Sequence, residues 1–199
     1  MNSNYLILIA GVLGEGSYRF ADEGAWRDLE ESLGFALPSD YKQIVDAYGP
    51  ICINDDFYLS HPATQVWNLG EEIRNSAGSW SAVVWDEDSD LEFDPREALG
   101  IPEMRFATAD GLTPVAGTSQ SQTVFLAPGV APQKWRIIVH NRGDFEEYRM
   151  GFAEWFYLYL SGADAFGPLS AEEPVVPAEL RLLPGRAGDA IETVYGPRP

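Results

Sequence analysis

The chain has 199 residues, 45% of them apolar and 22% charged, a globular composition that excludes wholesale disorder and suits one well-buried domain with extensions or two very small ones. Its 31 acidic against 13 basic side chains give a net charge of −18, which argues against nucleic acid and anionic membranes as direct partners, because both need a basic surface. One cysteine, Cys52, rules out an intramolecular disulfide and fits a reducing compartment.

The first element is the apolar run LILIAGVL at residues 6–13. It is too short to span a bilayer and lacks the basic flank and cleavage site of a secretory signal. It reads as a buried helix or strand, a choice that periodicity alone does not make, and the expected location is cytoplasmic. Gly14 and Gly16 lack the third glycine of a dinucleotide loop.

Two helices follow. Trp26, Leu29 and Leu33 fall at i, i+3 and i+7, one apolar helical face, with Asp22 placed to cap it and Gly34 to end it. Pro38 suits the first position of the next helix, where its missing N–H costs nothing. Tyr41, Ile44, Val45 and Tyr48 form the second stripe, and Gly49 stops it.

The segment ICINDDFYLSHP reads as a strand, a turn at 54–56 and a second strand ended by Pro62. Residues 63–85 read as mainly helical through Val66, Leu69, Ile73, Ala77, Trp80 and Val84, with Gly70 and Gly78 as weak points. The acidic run at 86–97, DEDSDLEFDPRE, is a solvated loop. Beyond Glu103 the period becomes strand-like in MRFATAD, TPVAGT, QTVFLAP, KWRIIVHN and, after the hairpin signal NRG, DFEEYRM. Phe152, Trp155, Phe156, Tyr159 and Leu160 then make a helical stripe closed by Gly162. Residues 163–199, rich in Pro, Gly, Ala and Glu, read as an extended tail that Val175, Val176, Leu180, Leu182 and Leu183 could hold down.

Helices, then strands, then a closing helix is an α+β order: an antiparallel sheet of roughly five to six strands packed against N-terminal helices and a C-terminal helix. The domain would cover 20–162, between an apolar extension at 1–19 and the tail at 163–199.

The pattern Trp26, Leu29, Glu30, Gly34, Leu37, Pro38, Asp40, Tyr41, Lys42, Tyr48, Gly49, Leu59 and Pro62 resembles the signature of the SUKH superfamily, which includes the fungal cell-wall-synthesis regulators and many bacterial relatives. Pro114, Gly117 and Thr118, then 124–126, 135–139 and 151–162, occupy the order of that family's second half. Pro50 stands where many members have a second glycine, and Val115 and Thr123 stand where many have Trp and Gly-Asp. The resemblance implies an α+β protein-binding module without enzymatic activity or cofactor. Many bacterial members look like immunity proteins that neutralise toxins, often nucleases; the alternative is an intracellular regulatory or scaffold module with an endogenous partner.

The residues themselves point the same way. No Gly-x-Ser-x-Gly elbow is present. His61, before a proline, and His140, at a strand end, read as structural, and Cys52, between two isoleucines, as a core residue. Asp86, Asp88 and Asp90 have the 1, 3, 5 spacing of a calcium loop with Glu97 at position 12, but Leu91 holds the position that requires glycine. A charged lip is the better reading, so no metal is expected. Asp55, Asp56, Asp86, Glu87, Asp88 and Asp90 are the expected partner-binding residues, facing a basic protein such as a toxin domain. The same acidity would also serve solubility alone.

Overall fold

The computed structural model describes residues 3–85, 94, 96, 97, 100, 102–129 and 134–198. Among these residues the fold is α+β. Five helices, α1 (Ser3–Leu13), α2 (Glu23–Leu33), α3 (Ser39–Tyr48), α4 (Leu69–Ser81) and α5 (Phe152–Leu160), accompany strands β1 (Ile51–Ile53), β2 (Phe57–Leu59), β3 (Thr113–Thr118), β4 (Thr123–Pro128), β5 (Trp135–Asn141), β6 (Asp144–Tyr148), β7 (Glu179–Leu182) and β8 (Glu192–Tyr195). All eight strands form one antiparallel sheet in the order β6-β5-β4-β3-β2-β1-β7-β8.

The caps explain the helix ends. The Asp22 carboxylate accepts from the amides of Gly24 and Ala25, and Gly34 ends α2 in the left-handed region at φ 78°, a conformation that glycine adopts without strain. Pro38 precedes α3 as its cap residue, one position earlier than the sequence suggests. The run at 6–13 is helical, and α1 buries Ile9 and Leu13. Tyr5 Oη fixes it to α5 by donating to Glu154 Oε1 at 2.8 Å.

Strand alternation divides the core. On β4, Val124 and Leu126 join one cluster while Phe125 and Ala127 join another; on β5, Ile137 and Val139 separate from Ile138 in the same way. The first cluster contains Trp26, Tyr41, Phe57, Phe152 and Trp155, and so unites α2, α3 and α5 with the sheet. The second gathers Phe106, Phe125, Ile138 and Phe145 against Ala77 and Trp80 of α4. A bulge interrupts the β3–β4 register between Pro114 and Ala116. Buried Tyr41 Oη donates to the Val115 carbonyl there at 3.1 Å, supplying a donor at the bulge.

The sheet has eight strands rather than five to six. The two extra strands are β7 and β8, from the segment read as a tail. Their side chains carry little signal over four residues, but β7 pairs with β1, Ile51 opposite Leu182 and Ile53 opposite Leu180, and Leu180 is buried. The expected strand at 104–110 reduces to a single bridge between Phe106 and Leu112. Residues 63–68 are not helical: α4 begins only after Asn68, whose side chain accepts from the amide of Glu71.

Candidate functional site

Three hairpin turns meet at one end of the sheet. In the first, Asn54 and Asp55 both have positive φ, 52° and 57°, and Asp56 N donates to Ile53 O at 3.0 Å. This is the turn that matches strand twist, and Asn and Asp tolerate its geometry. The third is the Asn141–Asp144 hairpin, with Arg142 and Gly143 at positive φ. Between them, the β3–β4 turn is tied to the first: Ser119 N donates to Asp56 O at 2.9 Å and Ser119 Oγ to Asp56 Oδ1 at 2.6 Å.

The fourth wall is the loop after α5. Gly162 ends the helix at φ 74°, and Glu172 N donates to Gly162 O at 3.0 Å, so the ends of a ten-residue excursion meet. This is an Ω-loop packed by its own side chains. Ala165 and Phe166 are buried. Trp155 Nε1 donates to Ala165 O at 3.0 Å, Asn141 Nδ2 to Phe166 O at 2.8 Å, and Tyr148 Oη to Asp164 O at 2.8 Å. Tyr148 Oη also accepts from Gly167 N at 2.8 Å, and Asp164 Oδ1 from Ala171 N at 2.7 Å. At the tip of this fastened loop Leu169 is 97% exposed and holds a left-handed φ of 63°. Ser170 N donates to Gly167 O at 3.2 Å, closing a turn with Pro168 first and Leu169 second, the position where such a turn takes a positive φ. The turn accounts for the backbone, but not for a large apolar side chain left in solvent.

Turns and loop enclose an open groove of about 680 Å³. Asp55, Asp56, Glu172 and Glu173 bring negative charge to its lining; Arg142 is a cation there. Burial, with Asp56 and Glu172 adding to it, raises the pKa of the Tyr159 phenol at the end of α5, so it stays neutral. Asp55 is partly offset by Arg181, whose Nη2 donates to its Oδ2 at 2.6 Å.

The groove thus receives two of the six expected partner-binding residues, Asp55 and Asp56. Asp86, Glu87, Asp88 and Asp90 lie outside the described residues, as does most of the 86–97 run weighed as a calcium loop. Leu169, Glu172, Glu173 and Arg142 escape the sequence reading. A lone leucine between Pro168 and Ser170 in a loop was the available signal.

Among the described residues no imidazole or thiol lines the groove. His61 is wholly buried elsewhere: its Nδ1 accepts from Ala63 N at 3.1 Å, which places the proton on Nε2, facing Asp46 Oδ1 at 3.2 Å. Burial lowers its pKa more than Asp46 raises it, so the contact is a hydrogen bond from a neutral ring. His140 Nε2 accepts from Gly143 N at 3.2 Å, and the ring lies edge-on to Trp80 with centroids 4.7 Å apart. Cys52 is buried, and burial raises its pKa, which leaves the thiol a poor nucleophile. Among the described residues, no three acidic, His or Cys side chains converge as metal donors, and no helix is long and apolar enough to cross a membrane.

No protein-family model, curated protein or solved structure matches the chain.

Proposed function

We propose that the protein is a cytoplasmic, non-enzymatic binding module of the immunity type, resembling the SUKH superfamily, and that its partner is a basic protein such as a nuclease toxin. The observation that carries this reading is the acidic groove with Leu169 held out at its rim by a hydrogen-bonded loop. A fastened loop loses little entropy when it binds, and an exposed apolar anchor supplies affinity once desolvated. The carboxylates of Asp55, Asp56, Glu172 and Glu173 act mainly on encounter rate and orientation. Inhibition would be stoichiometric: the module covers the basic surface through which the partner reaches its own substrate.

The test is co-expression with basic toxin domains, nucleases first, followed by binding kinetics with whichever domain is neutralised. The expected result is rescue of growth, lost with Leu169→Asp, and an association rate that falls at least about tenfold between 50 mM and 500 mM salt. An association rate indifferent to salt, or full rescue by Leu169→Asp, would overturn the groove as the binding surface. A partner that is an endogenous, non-toxic protein would replace the immunity role with the regulatory one.

A further inference from the structure

A second concavity, of about 300 Å³, lies between β2, β3 and α4. Phe57 and Leu59 point into the first core, so Tyr58 between them emerges on the opposite face of the sheet. There its ring stacks on Trp67, with centroids 5.5 Å apart and planes 6° from parallel. Both rings line the pocket together with Ser60, Ser76, Thr118 and Glu72.

Trp67 is placed there against its own backbone preference. It has φ 55°, in the left-handed region where a bulky residue is an outlier. A polar network holds it. The Trp67 carbonyl accepts from His61 N and from Thr64 Oγ1, each at 3.0 Å. Asn68 Nδ2 donates to the carbonyls of Pro62 and Thr64 at 2.9 and 2.7 Å. The left-handed turn at Trp67 is offset by these bonds and by the stacking on Tyr58, and it leaves the partly buried ring lining the pocket, where a ligand can reach it.

The chemistry of the lining selects the ligand. Among the described residues no lysine or arginine lines the pocket, and Glu72 places a carboxylate at its rim. The N-terminus of α4 does not attract an anion, since Asn68 caps it and Glu71 and Glu72 occupy its first turn. Aromatic faces with a carboxylate attract a cation, and a planar one both stacks and offers several donors to surrounding hydroxyls. We propose that the Tyr58–Trp67 pocket receives a guanidinium group, presented by an arginine side chain of a protein. The inference does not depend on the acidic groove. The two concavities nevertheless adjoin at the β3–β4 hairpin, Thr118 facing one and Ser119 the other, so a single basic protein could reach both.

The probe is N-acetylarginine amide, titrated into the full chain while the indole N–H resonance of Trp67 is followed. That resonance is assigned by its loss in Trp67→Phe. The expected result is a saturable shift with a dissociation constant on the order of millimolar, as befits one side chain. The neutral citrulline analogue should leave the resonance unmoved, and the lysine analogue should bind more weakly. Glu72→Gln, on an exposed helical position, should weaken arginine binding roughly tenfold. An absence of saturable shift, equal binding of the citrulline analogue, or unchanged affinity in Glu72→Gln would overturn the proposal. Equal binding of the lysine analogue would overturn the choice of guanidinium over ammonium. Because the readout is local to Trp67, failure here leaves the groove untouched, and failure of Leu169→Asp to weaken a partner leaves this site untouched.

Discussion

Asp40 on α3 caps a helix that begins 113 residues later: its Oδ2 accepts from Ala153 N at 3.1 Å, while Oδ1 accepts from the amide of Tyr41 at 3.0 Å. Gly151, the residue preceding α5, has no side chain with which to cap it, so the buried carboxylate does so from a distance and meets the positive end of the helix dipole. Asp40→Ala is expected to destabilise the fold by about 2 kcal/mol, since it leaves a buried donor unpaired as well as removing the charge. Asp40→Asn, which keeps an acceptor, should cost about half as much. Urea unfolding midpoints of the three proteins check both.

Burial of His61 and His140 makes stability depend on pH. Each folded-state pKa lies below the ordinary 6.5, with burial the leading cause. Between the folded value and 6.5 the unfolded chain therefore binds protons that the folded chain refuses. Stability is full above pH 6.5 and is lost as pH falls from there toward the lower folded-state values, by at most about 1.4 kcal/mol per pH unit for each proton refused. Protonation of His61 would also displace the Ala63 amide from Nδ1. Melting temperature should fall over that interval, and His140→Gln, retaining an acceptor for Gly143, should flatten the fall. An unchanged pH profile in that variant would assign the acid sensitivity to other groups.

The ion pair between Arg136 and Glu147 joins β5 to β6 with both side chains nearly covered, 8% and 10% exposed. Glu147 also accepts from Arg149 Nε at 3.0 Å. Glu147→Gln keeps the shape and removes the charge that offsets a buried guanidinium. The expected loss is about 3 kcal/mol, read by chemical denaturation. A loss below 1 kcal/mol would mean that Arg136 reaches water or another acceptor when Glu147 is neutral.

Helices α2, α3 and α5 were legible because their signals are local: Trp26 and Leu29, Tyr41 and Ile44, and Phe152 and Trp155 repeat at helical spacing within each element and all six are buried. Strands β4 and β5 were legible for the same reason, as continuous apolar runs covered on both faces. β7 and β8 were not, because their stability comes from β1, more than a hundred residues away, and nothing inside ELRL or ETVY announces it. The groove was legible only at Asp55 and Asp56, where charge stands out. Its remaining walls come from the separate segments 119–122, 141–142 and 159–175, which only the sheet topology brings together. Trp67 was misread as helical because apolar spacing cannot register a positive φ.

Gly162 fastens the Ω-loop through backbone contact. A Cβ there would lie 2.0 Å from Glu172 O, and φ is already left-handed. Gly162→Ala should break the closure of the loop while α5 persists, since Gly162 lies beyond its last turn. Amide exchange of residues 163–172 should accelerate by at least about tenfold, with that of β4 and β5 unchanged. Protection that survives the substitution would show that the contacts of Trp155, Asn141 and Tyr148 suffice to hold the loop.

Leu169 sets stability against binding in one residue. Its side chain is almost wholly exposed and its φ is 63°, so it gains nothing from burial while its backbone bears a left-handed conformation costing roughly 1 kcal/mol or more. Glycine relieves that cost but loses more conformational freedom on folding, which takes back part of the gain. Leu169→Gly should therefore be at least as stable as the native chain, by up to about 1 kcal/mol in urea. Leu169→Ala separates the two effects: it retains the strained φ and removes the isobutyl group, so stability should not change. Both variants should bind the partner at least about tenfold more weakly, the scale of a desolvated apolar anchor. If Leu169→Ala instead unfolds more readily by 1 kcal/mol or more, the side chain is packed in solution, and its exposed position at the groove is not the one the protein keeps.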